Sequence, residues 1–209
     1  MSDQFVLHGV ARSGPTYKVG LMLALCDQKY AYRHVDMMQG QHKSPDFLKL
    51  NRYGQVPVLT HGAVSLCQSG AILEYLAETL GRLRGKDTAT RARAREWLYW
   101  DADRLSPGVY RTRAILRGFQ KAEPVVADYF RQAGEAGLEV LNDTLGKSTF
   151  LTGSEATIAD IACYGVCVWA PDGKFDLKRW PNVGAWMKRI EAMPGYKAPL
   201  DLLPMHDAA

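Results

Sequence analysis

Ser13-Gly14-Pro15-Thr16 has the outline of a Cys-Gly-Pro-Cys redox turn in which a hydroxyl stands where each sulfur would be. Thiolates in such a turn exchange disulfides, whereas hydroxyls do not. A serine before Gly-Pro is also a good helix cap, and a proline at the start of a helix sacrifices no needed N–H. A second chemistry-bearing feature is Val56-Pro57, just ahead of Val58-Leu59. A trans proline there obstructs sheet pairing unless it lies at an edge. A cis bond avoids the obstruction and turns the backbone N–H and C=O of Val56 outward, ready to pair with an extended peptide.

These residues are positioned by alternating strand and helix signals in the first eighty positions. "FVLHGV" is a β-prone run, and Val19, Met22, Leu23 and Cys26 give a helix one apolar face. "YAYRHVDM" is a second strand, and "SPDFLKLN" a short helix capped by Ser44. "PVLTHGAVSLC" forms two strands around a His61-Gly62 turn, after which Gln68-Ser69 opens a helix striped by Ile72, Leu73, Leu76 and Leu80 and closed by Gly81. "GRLRGKDT" is polar and aperiodic, a linker over 81–88 between a mixed domain, 1–80, and a helical domain, 89–209. In the second half, Thr157 and Asp160 form a capping box, a structural signal and not a catalytic one.

Composition excludes several classes. With 47% hydrophobic and 23% charged residues the chain is ordinary globular protein, and its +4 net charge is spread along its 209 residues. The densest cationic run, from Arg82, carries no aromatic platform, so no nucleic-acid partner is expected. No run approaches the ~18 apolar residues of a membrane span, and the first residues lack the plan of a signal peptide. Cys26, Cys67, Cys163 and Cys167 form neither a Cys-x-x-Cys pair nor a zinc spacing. They read as small core residues of a reducing, cytoplasmic compartment, and no metal site is expected.

The order "SGPTYKVGLMLAL", "GQHKSPDFLKLNRYGQVPVL", "CQSGAILEYLAE", "TIADI" and "WPNVGAWMKRIEAMPGYK" resembles the cytosolic glutathione transferases over essentially the whole chain. The resemblance implies an α/β thioredoxin-like N-terminal domain followed by an all-α C-terminal domain, with glutathione as co-substrate and no metal. It also supplies the missing sulfur, since the turn would activate the cysteine thiol of glutathione. A free thiol of pKa about 8.5 is only about 3% thiolate at neutral pH. Lowering that pKa by ~2 units is worth roughly 2.7 kcal/mol, within reach of one charge-assisted hydrogen bond and a helix N-terminus.

Ser13, six residues before Val19, stands where serine-type members carry the thiolate donor. Tyr17 and backbone N–H groups remain alternatives. By position, Gln68 and Ser69 hold the γ-glutamyl end, Gln55, Val56 and Pro57 border the cysteinyl unit, and His42, with Lys43 in reserve, faces the glycine carboxylate. Two departures stand out: Asn51-Arg52-Tyr53 replaces the usual Asn-Pro, with Arg52 expected in solvent, and Gln68 replaces a glutamate. The electrophile pocket falls to Tyr17, Tyr99, Tyr110, Arg111 and Arg113, and Trp97 and Trp100 to packing. The leading activity is conjugation of glutathione to a small electrophile, in detoxification. The alternatives are a glutathione-dependent peroxidase, disulfide reductase or isomerase, and a non-catalytic binding module. The resemblance further implies a homodimer using Tyr53, Leu66 and the exposed side of the helix that Gln68 opens.

Overall fold

Buried Phe5, Leu7 and Gly9 alternate with half-buried Val6 and His8 in strand β1, Phe5–Gly9. The computed structural model describes residues 4–206, in two compact units. One runs to Gly81 and resumes at Met193, and the other is Arg82–Ala192.

The first unit is built on a four-stranded sheet in the order β2-β1-β3-β4. Strand β2, Tyr30–His34, runs parallel to β1, a pairing that needs a crossover, and helix α1, Gly14–Leu25, supplies it. Strand β3, Val58–His61, is antiparallel to β1, and β4, Val64–Cys67, is antiparallel to β3. Leu7 faces Leu59 in this register, and both are buried. Val58 falls on the opposite face and packs with Val35 and with Phe47 of helix α2, Pro45–Leu50. Helix α3, Ser69–Leu80, packs against α1. Ser44 caps α2 by accepting the N–H of Phe47, and Gly81 ends α3 in the left-handed conformation. The single apolar face expected of α1 is an understatement. Tyr17 through Leu23 are all buried, so the helix is enclosed and Cys26 is only its half-buried end.

This topology gathers chain turns at one end of the sheet. His8 near the end of β1 pairs with Val58 at the start of β3, and Val58 pairs with Cys67 at the end of β4. The segments just beyond, Val10–Ser13, Val56-Pro57 and Gln68-Ser69, therefore share that end. The parallel strand β2 ends there too, leading toward Gln41–Lys43.

The second unit is helical: α4, Thr88–Trp100; α5, Ser106–Leu116; α6, Pro124–Leu145; α7, Ile158–Cys167; and α8, Pro181–Glu191. Periodicity predicts one helix through α4 and α5. The structure widens it into a π turn at Asp101–Leu105, where the N–H of Ser106 donates to Asp101 O. Pro107 explains the wide turn, because it has no N–H to offer the carbonyl four residues earlier. Further along, a Cβ on Gly108 would collide with the backbone of Gly134, so α5 and α6 cross in backbone contact. The Thr157–Asp160 capping box is formed. Buried Asp160 also accepts from Leu151 N at 2.9 Å and Trp186 Nε1 at 3.0 Å.

Residues beyond α8 differ from the sequence division, which placed them with the helical half. Residues 193–206 pack into the first unit and include helix α9, Pro199–Leu202, with Leu203 fully buried.

Candidate functional site

Ser13 closes the turn leaving β1, its N–H donating to Val10 O at 3.0 Å. It is the extended N-cap of α1, and its Oγ accepts the N–H of Thr16 at 3.3 Å. That cap uses a lone pair, so the hydroxyl proton is left for another acceptor. Pro15 has no N–H, which leaves the Gly14 N–H as a first-turn donor with no intrahelical partner. Thr16 fastens the turn to the strand: its Oγ1 accepts Val10 N at 3.4 Å, and a Cβ on Gly9 would collide with it.

The Val56–Pro57 bond is cis, and the loop before it is held from two sides. Buried Asn51 donates through Nδ2 to Gln55 O at 2.7 Å and accepts the N–H of Tyr53 at 2.9 Å. The Lys43 ammonium donates to Gly54 O at 3.1 Å and Tyr53 O at 3.4 Å. Lys43 thus serves the loop as well as carrying a charge beside it. Arg52 is exposed and donates to the Tyr53 hydroxyl at 2.7 Å, as the expected solvent position requires. His42 lies on the short helical turn Gln41–Lys43, and its Nδ1 is buried with no hydrogen-bond partner among the described residues.

Gln68 has φ of 73°, a left-handed value that costs a non-glycine residue about 1–3 kcal/mol. It joins β4 directly to α3, and its exposed side chain makes no capping bond. Whereas α1 and α2 are capped by Ser13 and Ser44, α3 begins uncapped, with Ser69 as its first residue. The first-turn N–H groups from Ser69 onward have no intrahelical acceptor, an arrangement suited to a carboxylate.

The residues expected around an electrophile fare differently. Tyr17 is a correction: it is fully buried, and its hydroxyl donates to Lys197 O at 2.8 Å. With that proton committed, Tyr17 neither lines an open pocket nor serves as a thiolate donor. Tyr110 donates to Gly165 O at 2.7 Å, and burial, with the Asp101 carboxylate next in effect, pushes its hydroxyl well above the usual tyrosine range. Arg113 is paired with Asp172 at 3.0 Å and lies over the Trp169 ring, so its charge is locally offset. Arg111 reaches Gln120 at 3.1 Å from an exposed position, and Tyr99 is exposed. Trp97 and Trp100 pack edge-on at 5.0 Å.

Sequence reading missed Asn51 and Lys43 as clamps on the proline loop. An Asn in a turn and a Lys on a surface are too common to signal such roles. Among the described residues no acidic, histidine and cysteine group is arranged to hold a metal. No helix there is long and apolar enough to cross a membrane.

Residues 7–78 match the family model of the glutathione S-transferase N-terminal domain, and residues 89–189 match that of the C-terminal domain. The disulfide-bond oxidoreductase YfcG of Escherichia coli is 30% identical over 186 residues, spanning 85% of this chain and 86% of the relative. Human glutathione S-transferase theta-2B is 34% identical over 173 residues, 78% of this chain and 70% of that one. The solved structure of a glutathione S-transferase from Pseudomonas fluorescens superposes with a TM-score of 0.89 at 30% identity, covering 94% and 99% of the two chains.

Proposed function

The chain belongs to the glutathione S-transferase family, and on that premise we propose that Ser13 activates the glutathione thiol for attack on a small electrophile. The observation that carries the proposal is the hydrogen bonding of Ser13, whose cap engages the oxygen and leaves the proton to donate. The thiol loses its proton to solvent, and the sulfur anion accepts the Ser13 O–H. The anion then forms a bond to the electrophilic carbon while a leaving group departs or a double bond takes the electron pair. Ser13 keeps its proton throughout, acting by electrostatic stabilisation of S⁻.

The rest of the peptide is assigned by matching charge and donors. The γ-glutamyl carboxylate fits Ser69 and the uncapped α3 terminus, with the Gln68 amide beside it. The cysteinyl backbone fits Val56, held next to Gln55 and the cis proline. His42 has a buried unpartnered nitrogen to offer the glycine carboxylate. Tyr99 and Arg111 are proposed for the second substrate, with the Tyr110 ring, whose hydroxyl is held by Gly165, and Arg113, held by Asp172, contributing surface and not a free donor or charge.

One observation favours a second reading, reduction: the relative YfcG is named a disulfide-bond oxidoreductase. With no cysteine in the turn, that route must use two glutathione molecules, which give up two electrons to the substrate disulfide and leave as glutathione disulfide. A cytoplasmic detoxifying homodimer, with exposed Tyr53 at its contact, completes the proposal. Initial rates with glutathione and a chlorodinitrobenzene test the reading. Saturable turnover lost in Ser13→Ala supports it, and binding without turnover on any electrophile or disulfide contradicts it.

A further inference from the structure

We propose that the C-terminal segment 193–206 clamps α1, and that Tyr17 is the positioning residue through which the clamp fixes the Ser13 hydroxyl. The inference rests on the thiolate reading above.

Three independent contacts make the clamp. The Tyr17 hydroxyl donates to Lys197 O at 2.8 Å, across 180 residues of sequence. A Cβ on Gly195, which has φ of 86°, would collide with the carbonyl of Ala24, so the segment touches the last turn of α1 at backbone distance. Near the middle of the helix, a Cβ on Gly20 would stand 3.2 Å from Leu203 and 3.3 Å from Leu202, and Leu203 is fully buried. A glycine inside a helix is less stable there than alanine, so its presence needs a packing reason. At Gly20 the missing side chain lets α9 seat closely. The contacts fall near residues 17, 20 and 24, successive turns along one side of α1.

Their effect reaches Ser13 because Tyr17 is the next residue up that ladder. The Tyr17 N–H donates to Ser13 O at 2.9 Å, the first helical bond of α1. Thr16 beside it is tied to Val10 and Gly9 of the sheet. The first turn is therefore gripped from two sides, by the strand through Thr16 and by the C-terminal segment through Tyr17. A hydrogen bond to a sulfur anion depends steeply on distance and angle, so a small displacement of the turn weakens it while leaving the glutathione-holding residues in place.

The test is a pH titration of enzyme-bound glutathione thiolate in wild type, Tyr17→Phe and Leu203→Ala, with melting temperatures and glutathione KM alongside. Tyr17→Phe removes one oxygen and keeps the packed ring. Leu203→Ala loosens the clamp without touching Tyr17. Both are expected to raise the bound thiol pKa by about half a unit to one unit, a roughly three- to tenfold loss of thiolate on the acid side of the profile. Activity should recover at high pH, with KM changed less than about twofold. Lower melting temperatures with an unmoved pH profile would overturn the proposal by reducing Tyr17 to a stability role. A shift in Tyr17→Phe but not in Leu203→Ala would also overturn it, because the C-terminal segment would then not be what acts through Tyr17. A wild-type thiol with no depressed pKa would instead remove the thiolate reading, and the clamp's catalytic meaning with it.

Discussion

The Ser13 hydroxyl oxygen accepts the N–H of Thr16 at 3.3 Å, so one side chain caps α1 and still has its proton to give. The two duties can be separated. Aspartate caps a helix about as well as serine but has no proton to donate at neutral pH. Ser13→Asp should melt within about two degrees of wild type, whereas Ser13→Ala should lose roughly 1 kcal/mol, or a few degrees, with the cap. Both should lose at least about tenfold in kcat/KM near neutral pH, from one missing charge-assisted bond. Calorimetry with initial rates checks this.

Gln68 combines backbone strain with a polar side chain, and two variants separate them. Gln68→Ala keeps the Cβ in the left-handed region, whereas Gln68→Gly removes it. The glycine variant should be more stable than the alanine variant by about 1 kcal/mol in urea unfolding. Both should raise glutathione KM by about five- to twentyfold with little change in kcat, because the amide is proposed to bind the peptide away from the sulfur.

Asn51 is predicted to matter to binding without being proposed as a ligand contact. Asn51→Ala leaves the N–H of Tyr53 and the carbonyl of Gln55 without their partner, which costs about 2 kcal/mol. Because that carbonyl immediately precedes Val56, glutathione KM should rise at least about fivefold. Urea unfolding and isothermal titration with glutathione measure the two effects.

Asp160 gives a pH-dependent prediction in the helical unit. Desolvation raises its pKa, and hydrogen bonds from Leu151, Thr157 and Trp186 offset this only in part. A carboxyl whose folded pKa lies above its unfolded value binds its proton more tightly when folded. Its stabilising contribution is then full below the ordinary carboxyl pKa and is lost as pH rises through the folded value. Asparagine keeps one acceptor and does not titrate. The destabilisation by Asp160→Asn should therefore be larger near about pH 4 than near about pH 7.5, measured as paired urea midpoints.

Much of the first unit was legible in the sequence, because its turns are backbone devices. A proline before a strand, a Ser-Gly-Pro turn and a Gln-Ser pair at a helix start each act through local geometry. The structure shows the Val56–Pro57 bond cis and Ser13 capping α1. What was hidden depends on contacts between distant positions. Sequence offers Tyr17 as a hydroxyl and Arg113 as a cation, whereas Lys197 accepts the one and Asp172 pairs the other from far along the chain. The π turn was hidden for a different reason: apolar spacing continues through residues 101–105 while the hydrogen-bond ladder does not.

The most direct test of the account is the pH titration of glutathione thiolate absorbance on wild-type enzyme and on Ser13→Ala. Thiolate stabilisation by Ser13 predicts a bound thiol pKa about two units below the free value of about 8.5, rising by at least about one unit in the variant. A depressed pKa that Ser13→Ala leaves unmoved would contradict it and pass the thiolate to the backbone N–H groups of the α1 terminus.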